Sequence, residues 1–218
     1  MQKVNKCAEP EYFKDFKKKK QPRNWNELPS EISLQLRADL LAEQNKYCPY
    51  CERYIKEENP SHIEHIYPRN PQSPLKRSLE KEFDYQNLIA SCQSKKTCGT
   101  AKGNEFDEQL FINPTSEEPM DFLTHKEDSG EIQSLQNNQK GIYTTKILKL
   151  NDKTLVESRK AWHLQLSSLS GSSKEELNEN LRWLLKMNPN PNFPSIIKYH
   201  LENYDELGNC EKRRYDRS

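Results

Sequence analysis

The stretch "YCPYC", residues 47–51, places Cys48 and Cys51 on either side of a two-residue turn. Such a C-x2-C knuckle lets two thiolates reach one metal ion at about 2.3 Å each. A second pair, Cys92 and Cys98, lies further along the chain in "CQSKKTC". The two pairs together predict a four-cysteine zinc site, against the alternative of four buried free thiols.

A different completion would pair the knuckle with His62 and His65, in "HIEHIYP". Zinc fingers that read DNA carry these histidines about three to five residues apart on a helix. Here two residues separate the histidines, the segment is rich in isoleucine, and Pro68 follows closely. On a strand, residues three apart point to opposite faces. The geometry therefore favours the four cysteines over a finger of the C2H2 type.

The composition fits one substantial domain, or a small core with helical additions, because 218 residues are 33% hydrophobic and 31% charged. The formal net charge of +1 gives no overall argument for nucleic acid. Residues 1–23 nevertheless carry eight Lys and Arg against three acids. Such a cluster could neutralise phosphates. The alternative is a solvated helix end.

No apolar run approaches the length of a membrane span, and the first residues lack the apolar core of a signal peptide. We therefore expect a soluble, cytoplasmic protein, in which cysteines serve as metal ligands or free thiols rather than disulfides. Cys7 and Cys210 have no neighbouring cysteine and are expected to be incidental thiols.

The hydrophobic pattern predicts an α+β fold that is mostly helical. Ser30 is the expected N-cap of a helix that ends near Asn45, and Ser172 or Ser173 that of a later helix. Strands are predicted over 61–68 and 84–92, a helix from Thr100, strands and loops over 113–151, and helices over 152–169, 173–187 and 195–204.

Four motifs resemble the HNH nuclease motif of the ββα-metal (His-Me finger) type, with a zinc knuckle holding it: "YCPYC", "HIEHIYP", "YQNLIASC" and "CGTAKGN". The flanks, such as "NWNELPSEISLQLRADLLAEQNK" and "LKLNDKTLVESRKAW", resemble one HNH subfamily of bacterial anti-phage systems. That subfamily includes retron-linked nucleases and the nuclease subunit of Septu. The resemblance covers roughly residues 10–165. The pattern along the chain predicts a basic segment and helix over 1–45, the nuclease core over 46–112, and a mixed, mainly helical region over 113–218.

The resemblance also implies roles for individual residues. His65 would be the general base, because histidine titrates near neutral pH, and Glu64 would ligate a single Mg²⁺ or Mn²⁺ ion. Asn87 would close the loop and orient the imidazole. The family often has His or Asn directly after the last cysteine, where this chain has Gly99. The nearest substitute is Asn104.

Five residues are expected to contact nucleic acid: Lys95, Lys96, Lys102, His62 and Arg69. For His62, a supporting role beside the site or a plain strand position stays open. The other histidines, His125, His163 and His200, have no motif context and are expected to be structural or exposed.

The leading hypothesis is a metal-dependent DNA endonuclease that leaves 5′-phosphate and 3′-hydroxyl ends. The resemblance implies that it is the effector of an anti-phage complex with an ATPase of the ABC/SMC-like kind. The ATPase would be a separate protein, because this chain has no G-x4-G-K-[ST] motif. The alternative is a catalytically decayed, zinc-stabilised subunit that binds DNA or the ATPase.

Overall fold

The computed structural model describes residues 1–56, 60–72, 74–169 and 173–202. The helices are α1 (Glu11–Lys20), α2 (Ser30–Glu43), α3 (Leu79–Glu82), α4 (Cys98–Lys102), α5 (Gln139–Ile147), α6 (Lys153–Leu169), α7 (Lys174–Met187) and α8 (Pro194–Glu202). The strands are β1 (Ser61–His65), β2 (Leu88–Cys92), β3 (Leu123–Lys126) and β4 (Glu131–Ser134). About half of the described residues are helical, so the predicted α+β class is confirmed.

The chain divides into two compact units. The first comprises Met1–Thr124 and Ile132–Asp152, and the second comprises His125–Glu131 and the described residues from Lys153 onward. β1 pairs with β2 in an antiparallel sheet, and β3 pairs with β4 in a second two-stranded sheet. In the parts of the chain that the structure describes, no helix is long and apolar enough to cross a membrane.

The core of the first unit lies where α1 and α2 pack beside the β1–β2 sheet. Apolar residues recur every three or four positions on each helix, which puts them on one face. The buried cluster contains Phe13, Phe16, Leu36, Leu40, Phe83, Tyr85, Leu88 and Ala90. The last three lysines of α1, in contrast, are exposed. The end of the basic run is therefore a solvated helix end. Its lysines lie in the last turn of α1, where positive charges complement the helix dipole.

The end of α2 is fastened to β2 by one glutamine. Gln44 caps the helix, and its side chain accepts a bond from the Ala90 N–H at 2.7 Å and donates to the Ala90 carbonyl at 2.8 Å. This buried side-chain amide thus satisfies the backbone N–H and carbonyl of Ala90, which a further strand would otherwise pair with. The helix ends at Glu43, close to the predicted Asn45. The predicted N-cap is wrong, because Pro29 holds that position and Ser30 is the first helical residue.

The prediction of strands and loops throughout 113–151 is wrong in its last third, where α5 forms. The Asn138 side chain accepts a bond from Lys140 N and starts this helix. Its buried residues, Gly141, Thr144 and Ile147, recur every three positions. Gly141 lies so close to Ser134 that an added Cβ would be 2.6 Å from the Oγ atom. Packing thus overrides the strand propensity of this segment.

The second unit is built mainly from α6, α7 and α8. The Ser173 side chain accepts a bond from Glu176 N, so one of the two predicted caps is confirmed, while Ser172 lies outside the described residues. In the core of this unit, His163 Nδ1 lies 3.0 Å from His200 Nε2, and both rings are buried. The expectation that these histidines are structural or exposed is met by a buried, structural pair.

Lowering the pH from 7 to 5 is expected to destabilise the second unit. Burial lowers the pKa of His163 to about 3 and of His200 to about 4, from an ordinary value of 6.5. At a pH between the lowered pKa values and 6.5, the unfolded chain binds protons at these histidines and the folded chain does not. The stabilisation by the neutral histidine pair is therefore complete above pH 6.5 and is lost as the pH falls. Urea denaturation followed by tryptophan fluorescence should show a loss of about 3–4 kcal/mol, about 2 kcal/mol for each histidine.

The matched comparison for this prediction is a chain with both histidines changed to glutamine. It removes the two titrating groups, so its free energy of unfolding should depend less on pH over the same range. An equal pH dependence in the two chains would show that the histidine pair does not carry the effect.

Candidate metal centre and active site

The four predicted cysteines converge in the first unit. The sulfurs of Cys48, Cys51, Cys92 and Cys98 all lie within 4.8 Å of one another. Cys51 Sγ is 3.7 Å from Cys92 Sγ. Four thiolates at about 2.3 Å from one zinc ion would be about 3.8 Å apart, so this donor set fits a tetrahedral site. Cys7 is exposed, as expected of an incidental thiol, and Cys210 lies outside the described residues.

Local backbone geometry brings each sulfur to this point. Glu52, with φ of 60°, closes the knuckle by donating its N–H to the Cys48 carbonyl at 2.8 Å. Cys92 is the last residue of β2, and Cys98 is the first of α4. Burial lowers the pKa of the Arg53 guanidinium. The charges of the nearby cysteine sulfurs, above all that of Cys51, together have the larger effect, so the pKa is raised. The positive charge of Arg53 thus lies beside cysteines that would carry negative charge as thiolates.

The register of the first sheet decides which side chains share a face. His62 pairs with Ser91, Glu64 with Ile89, and His65 with Leu88. Because alternate residues of a strand point the same way, His62 and Glu64 share one face and His65 lies on the other. The imidazoles of His62 and His65 therefore lie on opposite faces of the sheet. They cannot both bind one metal ion together with the cysteines, which excludes the C2H2 arrangement.

Glu64 lies in a small polar cluster between β1 and α4. Its Oε2 atom is 3.5 Å from His62 Nε2, and its Oε1 atom is 3.0 Å from Lys102 Nζ. Burial raises the pKa of the Glu64 carboxyl, but His62 and Lys102 outweigh it and the pKa is lowered. Burial of Tyr50, from the knuckle, raises the pKa of its phenol, and the charge of the Glu64 carboxylate raises it further. Glu64 is therefore an ionised, buried carboxylate.

Gly99 forms the floor of this cluster on α4. A Cβ atom at this position would lie 2.6 Å from Glu64 Oε2 and 3.0 Å from His62 Nε2. The residue that follows the last cysteine therefore faces the carboxylate directly. Its missing side chain leaves room that His62 and Glu64 share.

His65, on the other face of β1, is held by two contacts. The Trp25 ring lies edge-on with its centroid 4.4 Å away, and His65 Nε2 lies 3.0 Å from the Glu82 carbonyl oxygen. A carbonyl only accepts hydrogen bonds, so Nε2 carries the proton and Nδ1 is the basic nitrogen of the neutral ring. Burial lowers the pKa of His65 to about 4, which keeps the ring neutral at neutral pH.

Asn87 closes the loop that follows β1. Its Oδ1 accepts a bond from Tyr67 N at 2.7 Å, and its Nδ2 donates to the carbonyls of Tyr67 at 3.1 Å and Lys81 at 2.7 Å. The bond to Lys81 reaches the residue next to Glu82, and the carbonyl of Glu82 in turn contacts the His65 ring. These Asn87 hydrogen bonds go to the backbone of Tyr67 and Lys81, so the predicted orientation of the imidazole would be exerted through the backbone.

Changing Asn87 to alanine should lower the free energy of unfolding by about 2–4 kcal/mol, because three hydrogen bonds are lost and buried backbone groups lose their partner. Urea denaturation would measure it. The control is Gln86→Ala at the exposed neighbouring position, where a change within about 0.5 kcal/mol is expected. Equal stability of the two variants would contradict the role assigned to Asn87.

The other predicted residues differ in their exposure to solvent. Lys95, Lys96 and Arg69 are exposed, as a contact to phosphate requires. Lys102 is 2% exposed and donates to the carbonyls of His65 and Gly103. Asn104 is exposed beyond Gly103, and in the described part of the chain no hydrogen bond joins its side chain to Glu64.

Sequence reasoning missed two features of the site. The contact between His62 and the position of Gly99 needs the packing of α4 on the sheet, although the spacing of His62 and Glu64 by two residues was a usable signal. The ion pair of Lys102 with Glu64 carries no sequence signal, because the two residues lie on different elements.

No protein-family model matches the chain. The chain is similar to an Escherichia coli protein named "Retron Ec83 putative HNH endonuclease", with 24% identity over 136 residues. The match takes in 61% of this chain, and the chain spans about half, 49%, of that protein. This similarity supports a relationship to HNH endonucleases. The Septu subfamily stays a prediction.

Proposed function

We propose that this protein is a metal-dependent HNH endonuclease that hydrolyses phosphodiester bonds in DNA. The observation that carries the proposal is His65 at the end of β1, with Nε2 on the Glu82 carbonyl, Nδ1 as its basic nitrogen, and Glu64 as its neighbour. Residues 46–112 would be the nuclease core, in which β1, β2 and α4 are the ββα-metal unit. The distant similarity to a retron HNH endonuclease supports the same proposal.

Zn²⁺ is the metal proposed for the four cysteines. A closed set of four thiolates is typical of structural zinc rather than catalytic zinc. Its proposed role is to fix the knuckle, β2 and α4 relative to one another, because one cysteine or more comes from each.

The catalytic roles follow from the chemistry of each group. His65 Nδ1 would accept the proton of the attacking water, and the Glu82 carbonyl would hold the ring in that tautomer. Glu64 would hold a Mg²⁺ or Mn²⁺ ion, which when bound supplies positive charge to the phosphate and the leaving oxygen. Lys95, Lys96 and Arg69 would bind the DNA backbone. The expected products carry 5′-phosphate and 3′-hydroxyl ends.

The resemblance to the anti-phage HNH subfamily also indicates a biological setting for this activity. The protein would be the effector nuclease of an anti-phage complex, held inactive with a separately encoded ATPase of the ABC/SMC-like kind. DNA cleavage by the assembled complex at the rate of the isolated chain, before infection or ATP depletion, would contradict this part.

The metal dependence tests the proposal directly. Zinc-loaded, full-length protein, freed of loosely bound metal by gel filtration, should nick plasmid DNA when Mn²⁺ or Mg²⁺ is added and not in its absence. Ligation of the nicks by DNA ligase would check the end groups, since ligase joins 5′-phosphate to 3′-hydroxyl ends. Cleavage that is equally fast without a divalent ion would overturn the metal-dependent mechanism.

A non-catalytic binding subunit is the second candidate, and one contact favours it. The Lys102 ammonium already compensates the charge of Glu64 in a buried site, which weakens the attraction for a divalent cation. On this alternative the protein binds DNA through its exposed cations. Retained DNA binding without cleavage, with and without candidate ATPase partners, would support it.

A further inference from the structure

The proposed catalytic ion lacks a ligand at the position after the last cysteine, since Gly99 has no side chain. The space above Gly99 is instead flanked by His62, whose Nε2 lies 3.0 Å from where a Cβ would be. His62 comes from β1, two residues before Glu64 and on the same face. His62 thus lies beside the Glu64 carboxylate, next to the space that a side chain at residue 99 would fill.

The separation of the two donor atoms suits a shared ion. Glu64 Oε2 and His62 Nε2 are 3.5 Å apart. Ligands at about 2.0–2.2 Å from one metal ion lie about 3–3.5 Å from each other. The His62 side chain is 29% exposed, so an ion and a phosphate oxygen could approach from solvent.

The two oxygens of Glu64 face different partners, which leaves one for the ion. Lys102 Nζ lies 3.0 Å from Oε1 and forms a buried ion pair with it. Oε2 faces His62 and Gly99. Lys102 therefore fixes the carboxylate while Oε2 stays directed at the space between β1 and α4. Its positive charge also predicts a weaker affinity for the ion than a carboxylate without such a neighbour would have.

We propose that His62 is the third ligand of the catalytic ion, binding through Nε2 in the space that Gly99 leaves. This inference rests on the proposed nuclease function and replaces Asn104 as the ligand. An imidazole donor also changes the metal preference, because nitrogen ligands favour first-row transition metals over Mg²⁺. The site should bind Mn²⁺ more tightly than Mg²⁺.

The test is Mn²⁺ binding to the zinc-loaded, full-length chain, followed by electron paramagnetic resonance. His62→Ala should weaken Mn²⁺ affinity about tenfold or more. Electron spin echo modulation from a histidine ¹⁴N nucleus should be present in the wild type and absent in His62→Ala. The matched control is His65→Gln, on the opposite face of the same strand, which should keep both the affinity and the nitrogen signal.

A rescue variant adds a gain-of-binding outcome. In the His62→Ala background, Gly99→Asn should restore part of the Mn²⁺ affinity, because the amide would reach the space that His62 vacates. Apart from His62, the atoms nearest to an added Cβ belong to the end of the flexible Glu64 side chain, and Gly99 does not adopt a left-handed conformation that an asparagine would strain.

The outcomes separate this inference from the proposed function. Unchanged Mn²⁺ affinity in His62→Ala, together with loss in Glu64→Gln, would overturn the role of His62 and leave the nuclease standing. A wild type that neither binds Mn²⁺ nor cleaves DNA would overturn both. If His62→Ala fails to fold, judged by zinc content and circular dichroism, the wild-type spectrum decides, and Mn²⁺ without histidine nitrogen contradicts the proposal.

Discussion

Changing Cys98 to serine should release the zinc ion and lower the free energy of unfolding by at least about 4 kcal/mol. Cys98 is fully buried and begins α4, so its sulfur would link the proposed zinc ion to this helix. Without the metal, Gly99 and Lys102 are no longer held against Glu64. For a chain of this size the melting temperature should fall by about 10 °C. Colorimetric zinc release and thermal denaturation would measure the two effects.

The control for this prediction is Cys7→Ser. Cys7 is an exposed thiol apart from the cluster, so this variant should keep its zinc and its melting temperature within about 2 °C of the wild type. It corrects for the general effect of replacing sulfur by oxygen. One zinc per chain in Cys98→Ser, with unchanged melting, would contradict the four-cysteine site.

Changing His65 should reduce DNA cleavage by about 10²–10⁴-fold at saturating Mn²⁺, the range expected for loss of a general base. His65→Gln is the sharper variant, because its amide can still donate to the Glu82 carbonyl but cannot take a proton from water. His65→Ala removes both functions and leaves a cavity beside Trp25. Initial rates of plasmid nicking would measure the effect.

Zinc content, DNA binding and rescue by imidazole would distinguish loss of the base from loss of the fold. Zinc content and DNA binding should match the wild type in His65→Gln, which shows that the loss is chemical. External imidazole should restore part of the activity of His65→Ala, since it can enter the cavity and act as a base. Cleavage at the wild-type rate by either variant would remove His65 from the mechanism.

The cysteine cluster could be predicted because its signals are short-range. Cys48 and Cys51 form a knuckle by their spacing alone, and the alternation of residues in 61–65 predicts a strand with two distinct faces. From that alternation followed the exclusion of a shared ion for His62 and His65, which the register confirms.

Which groups share the space beside Glu64 was decided only by the tertiary structure. Gly99, His62 and Lys102 meet there because α4 packs on the face of the sheet that carries Glu64, and the cysteine sulfurs fix its first residue. The helix α5 was missed for a related reason, since its β-branched residues favour a strand until Gly141 and Thr144 are packed. Sequence spacing determines which face of an element a side chain occupies. What that face meets depends on contacts between residues far apart in the chain, and these form only when the elements pack.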